Sequence, residues 1–157
     1  MYRNPHEVEK ELRSITDGIG LPMDEGIIRY CVILNSLGYK TRQSCEGHED
    51  RYSTYPWIDL IWNEEKSKGY LDKSYNEFFN TVYLDLEEYY KNSKSPHDCT
   101  VSFFKFGDED ELIIRLAQTT DVKIFGNNRA EKIKEYLKEI QNFCEFLNKK
   151  YNLNYWL

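Results

Sequence analysis

The stretch LNSLGYKTRQSCEGHED, residues 34–50, and the run YPWIDLIW, residues 55–62, decide the fold of this chain. Gly38 follows an apolar helical face, and helices commonly stop at such a glycine. Tyr39–Ser44 is then a predicted short strand. The second run has large apolar residues on both faces, which is typical of a buried strand. One helix followed by two neighbouring strands therefore forms the first half of the predicted fold.

The rest of the sequence continues this alternation. Apolar residues spaced by three and four predict helices over roughly 6–17, 23–37 and 71–91, and another from residue 128 onward. Strands are predicted at Thr100–Phe106 and Glu111–Gln118, and the short acidic link between them is typical of a hairpin. The order α-α-β-β-α-β-β-α predicts an α+β fold with about four strands, in an antiparallel or mixed sheet covered by helices. Because the length suits one core and no linker or repeat divides the chain, we expect a single domain over residues 1–157.

Composition and charge exclude several classes of function. Hydrophobic residues make up 40% of the 157 residues, which fits a folded domain rather than a disordered chain. The net charge is -6 and the basic residues are scattered, which argues against nucleic acid as the main partner. No apolar run approaches membrane-spanning length, and the first residues lack an apolar signal segment. We therefore expect a cytoplasmic protein with no membrane partner.

The four cysteines divide into two kinds. Cys31 and Cys144 fall on apolar helix faces, so we expect both to be core residues. Cys45 and Cys99 do not, and each has a histidine close by in sequence. Disulfides are not expected in a cytoplasmic protein, so these two thiols are available for chemistry.

The segment from Thr41 to Asp50 is the richest in functional groups. Cys45 lies at the end of a predicted strand, where side chains are often displayed at the rim of a sheet. Gly47 permits backbone conformations that are closed to other residues, and His48 offers an imidazole that can donate or accept a proton. The predicted ligand-binding residues of this segment and of the strand that follows are Arg42, Ser44, Cys45, Glu46, Gly47, His48, Tyr55 and Trp57.

A family resemblance covers residues 21–60. The runs LPMDEGI at 21–27, TRQSCEGH at 41–48 and YPWIDL at 55–60 resemble a set of small, largely uncharacterised bacterial and phage proteins. In that family a helix begins near Leu-Pro-hydrophobic-Asp-x-Gly, and Thr-x-x-Ser-Cys-Glu-Gly-His and Tyr-Pro-Trp follow it. More remotely, the pattern is similar to the wybutosine-synthesis methyltransferase family of tRNA modification, in which an arginine takes the place of His48. The first resemblance implies no agreed activity.

The preferred interpretation of the segment is a binding site for a small, nucleotide-like ligand. Backbone N–H groups around Ser44–Gly47 can form a nest for an anion, and Arg42 can add positive charge. Trp57 and Tyr55 can stack on a planar ring, while Glu46 can accept hydrogen bonds from a ribose or an amine. A phage protein that sequesters a nucleotide immune signal would fit the small size of the chain. This interpretation requires no cofactor and no metal.

Three alternatives remain open. The first is a thiol-dependent enzyme with Cys45 as nucleophile and His48 as base. The second is a structural zinc site that joins these two residues to His97 and Cys99. The third is a plain structural loop. In addition, the apolar end at 155–157 is expected to dock on the domain or to form a contact in a homo-oligomer.

Overall fold

The computed structural model of the protein describes residues 2–16, 19–48, 55–62, 75–96, 99–107, 112–119 and 129–155. The described helices are α1 (Pro5–Arg13), α2 (Glu25–Ser36), α3 (Tyr75–Asn92) and α4 (Arg129–Lys150), and the described strands are β1 (Lys40–Cys45), β2 (Trp57–Trp62), β3 (Val101–Gly107) and β4 (Leu112–Gln118). The predicted α+β order is confirmed. Among the described helices, none is both long enough and apolar enough to cross a membrane.

All four strands form one antiparallel sheet in the order β1-β2-β4-β3. At its centre, Ile58 of β2 pairs with Leu116 of β4, and Leu60 pairs with Ile114. These four side chains are fully buried. Since side chains alternate along a strand, they share one face of the sheet, and apolar residues of all four helices join them in one core cluster.

The apolar faces of α2 and α4 supply much of this core. Cys31 and Cys144 are fully buried within it, as the sequence predicts. Burial raises the pKa of the Cys31 thiol to about 12, and burial likewise raises the pKa of Cys144. Both thiols therefore stay protonated near neutral pH and act as small apolar residues.

The opposite face of the sheet carries a buried charge. Asp59 pairs in register with Arg115, and Ile61 pairs with Ile113. Asp59 is 1% exposed, and Arg115 donates to both of its carboxylate oxygens, at 2.7 and 2.9 Å. The guanidinium also lies 4.1 Å from the centre of the Trp57 ring. These contacts give the buried Asp59 carboxylate both hydrogen-bond donors and a compensating positive charge.

Two helix boundaries differ from those predicted. α1 ends at Arg13 rather than near residue 17, because the chain turns at Ser14 and Thr16 forms a bridge with Pro22. Ile15, expected on the apolar face, is 51% exposed as a result. α2 begins at Glu25, two residues later than predicted. Residues 71–74 and 128, also predicted to be helical, lie outside the described residues.

At one end of the sheet, the end of β1, the start of β2 and the N-terminus of α2 lie together. β1 ends there at Cys45, whose Cα partner is Trp57 at the start of β2. The N-terminus of α2 lies at the same end, since Gly26 is hydrogen-bonded to Glu46 just after β1. A register shift between Thr41 and Ser44 shows a β-bulge in β1, and bulges bend a strand and redirect its side chains.

Candidate functional site

The N-terminus of α2 is capped by a residue from another element. Asp24 occupies the N-cap position, and its carbonyl accepts from the N–H groups of Ile27 and Ile28. Aspartate usually caps a helix with its carboxylate, but this one makes no such hydrogen bond. Instead the Gly26 N–H donates to Oε2 of Glu46 at 2.6 Å. The Asp24 carboxylate is therefore left for other contacts.

Gly26 is required for Glu46, rather than Asp24, to cap the N-terminus of α2 with its carboxylate. A Cβ atom at this position would lie 2.2 Å from Oε2 of Glu46, so a larger residue would displace the carboxylate. The negative charge of Glu46 also interacts favourably with the positive end of the helix dipole. The glycine of the Leu-Pro-Met-Asp-Glu-Gly run and the glutamate of Ser-Cys-Glu-Gly-His thus form one structural unit.

The loop after β1 folds back over the start of α2. It turns at Gly47, whose φ of 89° lies in the left-handed region that favours glycine. The Gly47 N–H donates to Sγ of Cys45 at 3.4 Å, and the Glu46 N–H donates to Oδ2 of Asp24 at 3.2 Å. Nε2 of His48 lies 3.3 Å from the same oxygen. The turn therefore brings the imidazole to the helix N-terminus.

These contacts assemble the Asp24–Cys45–His48 cluster. One carboxylate oxygen, the thiol sulfur and one imidazole nitrogen all lie within 4.8 Å of one another. The three residues are half-buried; the Asp24 and His48 side chains are 30% and 23% exposed. Charges held partly away from water interact more strongly than charges on an open surface. A carboxylate, a thiol and an imidazole can together bind a borderline-soft metal ion such as zinc. The same three groups also occur where a cysteine nucleophile is activated by a histidine base that a carboxylate orients.

The structure brings four of the predicted site residues together. Cys45 and His48 belong to the cluster, while Glu46 and Gly47 hold its loop in place. The backbone N–H groups of Glu46 and Gly47, predicted to bind an anion, are already hydrogen-bonded to Asp24 and Cys45. Glu46 likewise has its carboxylate on α2. In the structure these groups hold the loop after β1 against the start of α2.

The predicted aromatic residues lie beside the cluster rather than in it. Trp57 is the Cα partner of Cys45 across the β1–β2 ladder, and the Arg115 guanidinium lies over its ring. The Tyr55 ring packs edge-on against Tyr136 of α4, with 5.5 Å between ring centres. Both aromatic residues are half-buried, and Trp57 is connected to the cluster through its pairing with Cys45.

The remaining predicted positions are less central. Arg42 is exposed in the bulged part of β1. Ser44 pairs with the buried Ile58, and its side chain lowers the pKa of the Cys31 thiol against the larger opposing effect of burial. The bulge therefore separates a solvent-exposed arginine from a serine that contacts the core.

The four-residue zinc hypothesis is not supported by the described residues. Cys99 is not among the residues that gather with Cys45 and His48. It is buried beside α4, where its thiol lies 3.2 Å from Oε2 of Glu135. His97 lies outside the described residues.

Sequence reasoning missed Asp24 as a site residue. The LPMDEGI run contains it, but the predicted helix began at residue 23 and so placed Asp24 inside its first turn. The signal lay in the co-occurrence of two motifs, since the Asp and Gly of the first contact the Glu and His of the second. The cleft between the end of α3 and α4, which has a volume of about 630 Å³, was not predicted either.

Comparison with known proteins adds no relative, because no family model, no curated protein and no solved structure matches the chain. The resemblance of residues 21–60 to a bacterial and phage family stays a prediction. Fold and site together define an α+β protein with a carboxylate–thiol–imidazole cluster at one end of an antiparallel sheet.

Proposed function

We propose that the protein binds a divalent metal ion of the zinc type at the Asp24–Cys45–His48 cluster, and that the bound ion takes a small ligand. The observation that carries this proposal is the convergence of three different metal-binding groups within 4.8 Å. Zinc accepts sulfur, nitrogen and oxygen ligands in one site. A cation also suits the local charge, because the carboxylates of Asp24 and Glu46 both lie at this end of α2.

The spacing of the cluster supports the same proposal. Metal–ligand distances of about 2.0–2.2 Å in a tetrahedron place neighbouring nitrogen and oxygen ligands about 3.4 Å apart. Nε2 of His48 and Oδ2 of Asp24 are 3.3 Å apart, which is long for a charge-assisted hydrogen bond. Small side-chain adjustments would bring the thiolate of Cys45 to the same ion.

Three protein ligands leave one of the four positions of a tetrahedral zinc ion for water or another ligand. The nucleotide-like ligand predicted from the sequence would place a phosphate oxygen at this position, with Trp57 next to Cys45 in the sheet. Its identification as an immune signal stays a prediction. The cytoplasmic location is part of this proposal, since metal binding requires Cys45 to be reduced.

A second candidate function is thiol catalysis. It is favoured by the Gly47 N–H that donates to Sγ of Cys45, because such a donor stabilises a thiolate. Asp24 contacts His48 as the third member of a nucleophile–base–carboxylate set would. Cys45 cannot bind a metal ion and act as a nucleophile at the same time, because a coordinated thiolate is not free to attack.

The test is zinc binding by the metal-free full-length chain, measured by calorimetry against a competing chelator. We expect one ion per chain, with Cys45→Ser and His48→Gln each lowering the affinity about 100-fold. Cobalt(II) should report the same site through a thiolate charge-transfer absorption band that Cys45→Ser removes.

The matched controls are Cys99→Ser and His6→Gln, which remove a thiol and an imidazole outside the cluster. Both should bind zinc as the unchanged protein does. If the unchanged protein binds no zinc while iodoacetamide labels Cys45 rapidly at neutral pH, thiol catalysis becomes the better proposal. Equal losses of zinc affinity in the cluster variants and in the control variants would contradict the proposal that the cluster binds the metal.

A further inference from the structure

We infer that the cleft between the end of α3 and the middle of α4 is a second binding site, for a small organic anion that also carries hydroxyl groups. The cleft has a volume of about 630 Å³, within the range of small-molecule sites. Its lining shares no residue with the Asp24–Cys45–His48 cluster. The inference is therefore independent of the metal proposal.

The floor of the cleft holds a buried carboxylate, Glu139, which is 4% exposed. Its Oε1 atom accepts hydrogen bonds from the hydroxyls of Tyr89 and Tyr90, at 3.2 and 2.8 Å, and also lies 2.8 Å from the Ser95 hydroxyl, which has one proton to donate. Among the described residues, its Oε2 atom accepts from Ser95 alone, at 2.7 Å. A carboxylate oxygen has about two acceptor sites. Oε2 therefore retains capacity for a hydroxyl donated by a ligand.

The rim of the cleft is positively charged. Lys94 of the loop after α3 and Lys134 and Lys138 of α4 line it, and all three are exposed. Lys134 and Lys138 are four residues apart and so lie on the same side of the helix. None of the three takes part in a salt bridge within the described part of the chain.

Glu135 is the acidic residue of this rim, and its charge is already engaged. Its Oε2 atom lies 2.9 Å from Nζ of Lys132 and 3.2 Å from Sγ of Cys99. The rim as a whole therefore attracts an anion, which lysines bind as point charges. The anionic group of the ligand lies at the rim, and its hydroxyl groups reach the floor.

Ribose 5-phosphate is a suitable probe because it combines a phosphate with several hydroxyls. We expect titration into the full-length protein, followed by amide NMR, to shift signals of the cleft residues Ser93, Ser95 and Glu139. Ribose, which lacks the anion, and inorganic phosphate, which lacks the sugar hydroxyls, should each bind more weakly. Added salt should weaken binding, since the attraction is electrostatic.

The matched variants change exposed lysines, so the fold should be preserved. Lys134→Gln combined with Lys138→Gln should raise the Kd for ribose 5-phosphate by about fivefold. Lys149→Gln, an exposed lysine near the other end of α4, should leave the Kd unchanged. The inference is overturned if the probe shifts no cleft signal at millimolar concentration, if ribose binds as tightly, or if the double variant and Lys149→Gln behave alike.

Discussion

Nε2 of His48 lies 3.3 Å from Oδ2 of Asp24, and this contact joins the loop after β1 to the N-terminus of α2. The same aspartate oxygen accepts the N–H of Glu46. One carboxylate thus orients both the backbone of the loop and its histidine. The geometry of the cluster therefore depends on Asp24.

Asp24→Ala should therefore lower the zinc affinity about 10- to 100-fold, the range seen when a metal site loses a supporting or coordinating group. The neighbouring carboxylate offers a control of equal charge. Glu25 is 78% exposed and pairs with Arg13 instead, so Glu25→Ala should leave the affinity nearly unchanged. The measurement is chelator competition at constant ionic strength. Similar losses in both variants would show that net charge alone attracts the ion.

Gly26→Ala tests the cap that Glu46 supplies to α2. The added Cβ would displace the Glu46 carboxylate, so we expect a loss of about 1–2 kcal/mol in the free energy of unfolding. In a Glu46→Ala background the obstacle is gone, and alanine stabilises a helix by up to about 1 kcal/mol relative to glycine. The same substitution should then stabilise the protein.

Urea unfolding of the four proteins in this cycle measures the coupling between the two positions. A change of sign between the two backgrounds is the expected result. If Gly26→Ala has the same effect in both, Glu46 does not contribute the cap in solution.

The order of elements was predictable because helices and strands differ in their apolar periodicity. Ile27, Cys31 and Leu34 of α2 are spaced by four and three residues, as expected for a helix. β2 is an apolar run in which Asp59 is the one charged residue. Strand order was not predictable, because pairing between β2 and β4 depends on contacts far apart in the sequence. The early end of α1 was also missed, since apolar spacing continues through Ile15 although the chain has already turned.

The members of the Asp24–Cys45–His48 cluster could be predicted only in part, for a similar reason. Cys45 and His48 are only three positions apart in the sequence and carry recognisable chemistry, so both could be chosen as candidates from residue type alone. Asp24 and Gly26 lie in a different element, and their roles follow from a tertiary hydrogen bond. The carboxylate of Glu46 was predicted to bind a ligand. Its partner in the structure is the N-terminus of α2, which a linear motif does not reveal.

Arg115→Met should destabilise the protein strongly because it leaves Asp59 buried without a cation. The hydrogen bond and charge of Asp59 raise the pKa of Arg115, which reflects the strength of the pair. Removing one partner of a buried pair costs about 3–5 kcal/mol. Replacing both partners, as in Asp59→Leu with Arg115→Met, should recover much of that loss in urea unfolding. Arg42→Met, at an exposed arginine, is the control and should change stability by less than about 0.5 kcal/mol.

The stability of the protein should fall at alkaline pH, in part through Cys31. Its thiol has a pKa raised by burial to about 12 in the folded state, whereas an unfolded thiol titrates near about 8.5. Between these values only the unfolded state loses the proton, so stability declines as pH rises, by about 1.4 kcal/mol per pH unit for one thiol. Cys31→Ala should reduce the slope of stability against pH by that amount, whatever its effect at neutral pH. An unchanged slope would show that the thiol ionises in the folded protein.

Tyr90 and Tyr89 provide the last test, since both hydroxyls reach Glu139 and that of Tyr90 also accepts a hydrogen bond from a backbone N–H. The Tyr90 hydroxyl accepts from the N–H of Val101 at 2.7 Å as it donates to Glu139. Tyr90→Phe removes the acceptor of a buried backbone N–H, which costs about 1–3 kcal/mol. Tyr89→Phe leaves Glu139 its bonds from Tyr90 and Ser95, so it should cost less. Amide exchange at Val101 should accelerate in Tyr90→Phe and not in Tyr89→Phe; equal acceleration would mean that α3 as a whole, rather than this hydroxyl, protects the start of β3.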